Sequence, residues 1–157
     1  MKKLALLFAG LSLLVATGCN DDDETVMEYP LVGTWQPLKE VVTTIPASGA
    51  GISDEITYSA CQQEGRWVFN ENLSGKITER GETGTPAVCS TISEKNIVYT
   101  YDKTEKTIQI KYQGVVVTDK GKVTLLNDTT MNLKIEDTTD PNEYQSTTYT
   151  FKRIPQQ

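Results

Sequence analysis

From Pro30 onward, apolar and polar residues alternate with the two-residue period of a strand rather than the longer period of a helix. Ile108, Ile110 and Tyr112 alternate with Thr107, Gln109 and Lys111, and Met131, Leu133 and Ile135 alternate with Asn132, Lys134 and Glu136. Tyr149 and Phe151 do the same among Thr148, Thr150 and Lys152, as do Trp67 and Phe69 beside Arg66, and Ile97, Tyr99 and Tyr101 beside Thr100. Successive side chains of a strand point to opposite faces, so each set gathers its apolar members on one face of a half-buried strand.

Strand signals fall near 34–44, 55–60, 65–70, 75–80, 96–102, 106–118, 122–127, 130–136 and 145–154, the signal being weakest over 55–60. Turn chemistry separates them: Asn70-Glu71-Asn72 leading to Gly75, Asp102 to Lys106, Asp119-Lys120-Gly121-Lys122 as a tight hairpin, and Asn127-Asp128. No amphipathic helix stands out. Short, regularly spaced antiparallel strands predict an all-β, up-and-down antiparallel barrel of about eight strands, whose closure removes exposed sheet edges.

The first residues follow a different pattern. Lys2 and Lys3 precede a continuous apolar stretch, Leu4 to Val15, of signal-peptide length and too short to span a bilayer. Small residues then lead into a cysteine, Ala16-Thr17-Gly18-Cys19. This run resembles the bacterial lipobox, although Leu is more usual where Ala16 stands. The resemblance implies that 1–18 is a signal peptide and that Cys19 is lipidated and becomes the mature N-terminus. An ordinary secretory signal with an incidental Cys19 is the alternative. Each acyl chain contributes about 0.8 kcal/mol per buried methylene, so two or three chains hold a protein stably on a membrane. Asn20-Asp21-Asp22-Asp23-Glu24 follows at once, a solvated run that cannot pack, and 19–29 reads as a tether. It resembles the acidic export signal of Bacteroidetes surface lipoproteins, which implies an outer-membrane protein facing outward.

At 157 residues the chain has room for one domain, 30–154, after the leader and tether. Charge narrows its partners. Of 15 Lys+Arg, Lys2 and Lys3 leave with the leader, so 13 remain against 21 Asp+Glu, a net of −8. Such a surface lacks the cations that nucleic-acid phosphates require. There are no histidines, which removes the commonest general base and the commonest transition-metal ligand together. No metal or other cofactor is called for. Cys61 and Cys89 remain for the folded part, and export would place them in an oxidising compartment, where they are expected to pair. Two free thiols or a metal pair are the alternatives, and the metal pair lacks further ligands. A disulfide across a loop of that size stabilises by about 3–4 kcal/mol in the chain-entropy description, and the Gly- and Thr-rich stretch 81–86 inside it reads as a mobile loop.

Leu31-Val32-Gly33-Thr34-Trp35 opens the first strand, an aromatic-rich meander follows, and the chain closes on Tyr149-Thr150-Phe151-Lys152-Arg153-Ile154. In these features, and over most of 30–154, it resembles the lipocalin-like domains of Bacteroidetes lipoproteins. The resemblance implies that Trp35 plugs the closed end of the barrel beside Gly33. Arg153 (or Lys152) would lie over its indole as a structural cation. Two features are not matched: Tyr101-Asp102 is the nearest approach to a Thr-Asp-Tyr turn, and no helix follows the last strand. A deep ligand cavity is therefore not carried over.

Two functional readings follow. In the first, the open end of the barrel binds a small hydrophobic or amphipathic molecule, lined by Trp67, Phe69, Tyr99, Tyr101, Tyr112 and Tyr149. The alternative packs the same rings as a solid core. The protein is then a non-enzymatic interaction or accessory protein of the outer membrane surface, using loops such as Ile45 to Ile52 against a protein or glycan. Catalysis is not expected: no histidine can activate a serine, and Asp137, Asp140 and Glu143 share one polar loop where charge serves solvation. Asp128-Thr129-Thr130 and Asp137-Thr138-Thr139 resemble the Bacteroidetes O-glycosylation acceptor, which marks Thr129 and Thr138; ordinary turn chemistry is the alternative reading.

Overall fold

The computed structural model describes residues 28–155. The leader, Cys19 and most of the tether lie outside them. Nine antiparallel strands form one sheet that closes on itself: β1 (Gly33–Pro46), β2 (Ile52–Thr57), β3 (Arg66–Phe69), β4 (Ser74–Thr83), β5 (Val88–Asp102), β6 (Thr107–Tyr112), β7 (Thr118–Leu126), β8 (Thr130–Asp137) and β9 (Glu143–Ile154). From β3 to β9, neighbours in sequence are neighbours in the wall, and β1 closes the circle by pairing with β9 from Thr34↔Ile154 to Pro46↔Glu143.

Nine strands occupy eight positions. On its second edge β1 pairs first with β3 through Gly33–Trp35, and further along with β2 through Lys39–Thr44. β2 and β3 thus share one place in the wall. A short 3-10 turn, Gln62–Glu64, separates them, and the Cys61–Cys89 disulfide fastens that turn to β5, with Cα atoms 5.5 Å apart. β4 pairs with β3 only at Gly75–Thr78, and no pairing joins it to β2 among the described residues.

The core fills the end of the barrel where β1 begins. Trp35, Phe69, Phe151, Met131, Leu133, Ile108 and Ile110 are all essentially inaccessible to water. The alternation seen in the sequence explains this: Phe69, Met131, Leu133, Ile108 and Phe151 are inward members of their strands, two residues apart from the next inward position. Trp35 crosses that end. Its Nε1 donates to the Leu31 carbonyl at 2.9 Å, and the Arg153 guanidinium lies 4.1 Å from its ring centroid. Arg153 then donates to the carbonyls of Val32 (2.9 Å) and Pro30 (2.5 Å), tying the entering chain to the last strand. Gly33 has φ +142°, and a Cβ there would sit 2.6 Å from Arg153 Nη1, so only glycine lets the guanidinium pass. Of the two basic candidates, Arg153 is the one over the indole; Lys152 points outward and is exposed.

Several boundaries differ from the sequence expectation. The segment 106–118 is not one strand: β6 ends at Tyr112 and the turn lies at 113–117. Asp119-Lys120-Gly121-Lys122 is not a hairpin but the first half of β7. Gly121 faces inward opposite Ile135, where a Cβ would collide with the Lys134 carbonyl, so this glycine marks close packing rather than a turn. The 81–86 stretch is loop only in its second half: Gly81, Glu82 and Thr83 pair with Ser90, Cys89 and Val88 in a long β4–β5 hairpin, and the turn begins at Gly84. The strand expected at 55–60 runs from Ile52 to Thr57.

Arg153→Ala is expected to cost about 2 kcal/mol, since it removes a cation–π contact and leaves two carbonyls without a charged donor. Lys152→Ala is expected to stay within about 0.5 kcal/mol of the parent. Urea unfolding of both variants checks the assignment, and equal midpoints for the two would contradict it.

Candidate functional site

Above the plug, the wall and the interior both change character. A bulge in β1 between Pro37 and Lys39 leaves Leu38 without a register partner on β9 and shifts the inward phase, so that Glu40, opposite Tyr149, turns into the barrel while Lys39 turns out to meet Glu55 at 2.7 Å. Pro37 tolerates this place because a bulged strand does not need its missing N–H. On β4, Gly75, Ile77 and Glu79 lie in phase, which brings Glu79 inward one step above Ile77. Asp119 of β7 faces inward opposite Ile110.

Three carboxylates therefore stand where the aromatic core ends. Tyr58 donates to Glu40 Oε2 at 2.6 Å, and Tyr112 donates to Asp119 Oδ2 at 2.8 Å. Tyr149 lies between them, its ring 5.3 Å from that of Trp67. Burial, followed by the negative charges of Glu40, Glu79 and Asp119, pushes the Tyr149 hydroxyl up to about 12. Burial and then the hydrogen bonds to Glu40 and Asp119 raise Tyr58 and Tyr112 as well. None of the five ion pairs among the described residues involves Glu40, Glu79 or Asp119.

Two cavities meet at Tyr149. One, of about 230 Å³, opens where β2 and β4 fail to pair, with Trp67 and Tyr149 as its floor and Glu40, Tyr58, Glu79 and Ile92 among its walls. Arg80 lines its outer side and is held by Glu64 (3.0 Å) and Thr91 (3.0 Å). The other, of about 300 Å³, lies between β7, β8 and β9 and includes Asp119, Ile135 and Thr147. Three of the loops around this open end lack charge, whereas the β8–β9 loop there carries Asp140 between Asp137 and Glu143. Residues 47–51, 84–87 and 113–117 carry none, and Val88, Ile92 and Val115–Val117 are exposed there.

The structure divides the six aromatic residues that the sequence suggested for a ligand. Phe69 and Tyr99 belong to the core, their rings 4.9 Å apart, and the Tyr99 hydroxyl is bound to the Asn70 carbonyl. Tyr101 packs against the core near Asp102, at the closed end. Trp67 and Tyr149 form the cleft floor, and Tyr112 stands across the mouth. The polar members, Glu40, Tyr58, Glu79 and Asp119, were not singled out. Glu79 had a visible signal, its phase with Gly75 and Ile77; Glu40 was hidden by the bulge. Thr129 and Thr138 are both exposed, in the β7–β8 turn and just beyond β8.

A family model for the lipocalin-like domain matches residues 31–133. No curated protein sequence matches the chain. Solved structures resemble it at low identity. Lobster apocrustacyanin A1 is 12% identical with a TM-score of 0.47, over 80% of this chain and 61% of that one. A deswapped triple mutant of bovine odorant binding protein is 11% identical with a TM-score of 0.41, over 79% and 74%. A structural-genomics protein of unknown function from Bacteroides ovatus is 14% identical with a TM-score of 0.40, over 79% and 42%.

The raised tyrosines give the site a signature in alkali. An unfolded tyrosine releases its proton near pH 10, whereas Tyr149 in the folded barrel holds its proton to about 12. The unfolded state then binds fewer protons than the folded one, so this contribution to stability is complete below pH 10 and is lost as pH rises towards 12. Urea midpoints measured across that range should fall, and Tyr149→Phe should flatten the fall. An identical slope in parent and variant would contradict the assignment.

Proposed function

The chain belongs to the lipocalin-like domain family, and we propose that it is a non-enzymatic binding protein that takes a small amphipathic molecule at the open end of its barrel. The observation that carries this reading is the change of filling along the barrel axis. Below Trp67 the interior is packed; above it a cleft of about 230 Å³ has an aromatic floor and a carboxylate wall. That volume lies below the roughly 300–1,000 Å³ of pockets for drug-sized ligands, so the guest is small. Rings below and hydrogen-bonding groups above suit a molecule with one apolar and one polar end.

The protein is, in this reading, an envelope lipoprotein held by acyl chains on Cys19 and facing outward from the outer membrane. Supporting this is the amino-terminal pattern already described. The described chain enters at the closed end, where Glu28 meets Lys103 at 3.2 Å. A tether leaving there directs the mouth away from the membrane. The exposed Thr129 and Thr138 are then open to O-glycosylation.

Native mass spectrometry of the protein after incubation with an envelope extract tests the binding reading. A one-to-one adduct is expected, reduced about tenfold or more by Ile92→Trp, which fills the lip of the cleft, and unchanged by Val98→Trp on the outer face of β5. No adduct, or an adduct indifferent to Ile92→Trp, would contradict it. Replacing Cys19 with Ala should move the protein from the membrane fraction to the soluble one.

A further inference from the structure

We propose that the polar end recognised at this mouth is an organic cation, an ammonium group carried by a small aromatic or aliphatic amine. The inference rests on the reading of the cleft as a ligand site and goes further by naming the chemistry of the guest. Its basis is the combination of walls. Trp67, Tyr58 and Tyr149 line the same cleft as Glu40 and Glu79, and Asp119 stands across the mouth beside Tyr112. An ammonium is attracted to the negative face of an aromatic ring, most strongly where water is excluded.

The charges already present leave this role open. Glu40 and Asp119 each accept one hydrogen bond from a tyrosine, which leaves lone pairs on both carboxylates. Of the nearby cations, Arg80 spends its two terminal nitrogens on Thr91 and Glu64, its buried Nε having no partner among the described residues, while Lys95 lies over the Tyr112 ring at 5.5 Å. A metal ion is a poor occupant: among the described residues no three acidic or thiol groups come close enough together to ligate one. Spread carboxylates with aromatic side chains among them match a larger, softer cation. An anionic head group, such as a fatty acid's, would meet Glu40 and Glu79 with like charge, each uncompensated by an ion pair.

Three probes with nearly the same skeleton separate the possibilities: phenethylammonium, 2-phenylethanol and 3-phenylpropionate, titrated calorimetrically into the purified full chain. Phenethylammonium is expected to bind about tenfold more tightly than the alcohol, and the carboxylate most weakly. The double variant E40Q/E79Q should erase the preference, and Glu105→Gln, in the β5–β6 turn at the closed end, should not. Circular dichroism of each variant confirms that the barrel is intact. Alcohol or carboxylate binding as tight as the amine's overturns the cation assignment and leaves the cleft as a ligand site. An amine preference that survives E40Q/E79Q places the cation elsewhere and also overturns it. Binding by none of the three overturns the cation assignment and, for guests of this size, the binding reading with it.

Discussion

Strand β1 is paired along both edges, but on one edge two different strands divide the work. Along β1, β3 pairs only as far as Trp35, and β2 pairs from Lys39 onward and with no other strand among the described residues. The rest of the interior follows from that division. Where β3 joins β1 to β4, the wall is continuous and side chains from all sides pack to exclude water. Where β2 takes over, β4 has no strand partner on that edge among the described residues, and the gap is bridged by the Gln62–Glu64 turn, the Glu64–Arg80 ion pair and the Cys61–Cys89 disulfide. Packing cannot be completed beside a gap, so polar groups are tolerated there because water can reach them.

The same division separates stability from function. Trp35, Arg153 and Gly33 hold the closed end, and their contacts are internal: an indole, a guanidinium and two backbone carbonyls satisfied by one another. Glu40, Glu79 and Asp119 stand at the other end, close to a buried tyrosine and without ion-pair partners among the described residues. Two of these carboxylates already accept a tyrosine hydroxyl and water reaches all three, so lone pairs stay free at the mouth for a guest.

Much of the closed half was legible in the sequence because it has one buried face. Ile108 and Ile110, Met131 and Leu133, and Phe151 recur at every second residue, and each recurrence is an inward position. Cys61 and Cys89 were legible as a pair by elimination. The mouth was harder to read for a physical reason. A bulge at Leu38 reverses the phase within one strand, so that counting by twos from Trp35 brings Lys39 inward instead of Glu40. The outer parts of β4 and β5 bury no side chain and carry no regular alternation, which is why Gly81 to Thr83 resembled a loop. Asp119-Lys120-Gly121-Lys122 has the composition of a turn, yet the glycine serves the close approach of β8.

The chain's two tryptophans are register partners on β1 and β3, one crossing the closed end and the other flooring the cleft, so hydrogen exchange of their indole N–H groups, followed by nuclear magnetic resonance, tests the divided interior most directly. Trp35 Nε1 is buried and bound to the Leu31 carbonyl, and its exchange is predicted to require global unfolding. Trp67 lies on the cleft floor, its indole without a hydrogen-bond acceptor among the described residues, and is predicted to exchange orders of magnitude faster. Equal protection of the two indoles would mean that the barrel is closed and filled along its whole length, contradicting an open mouth.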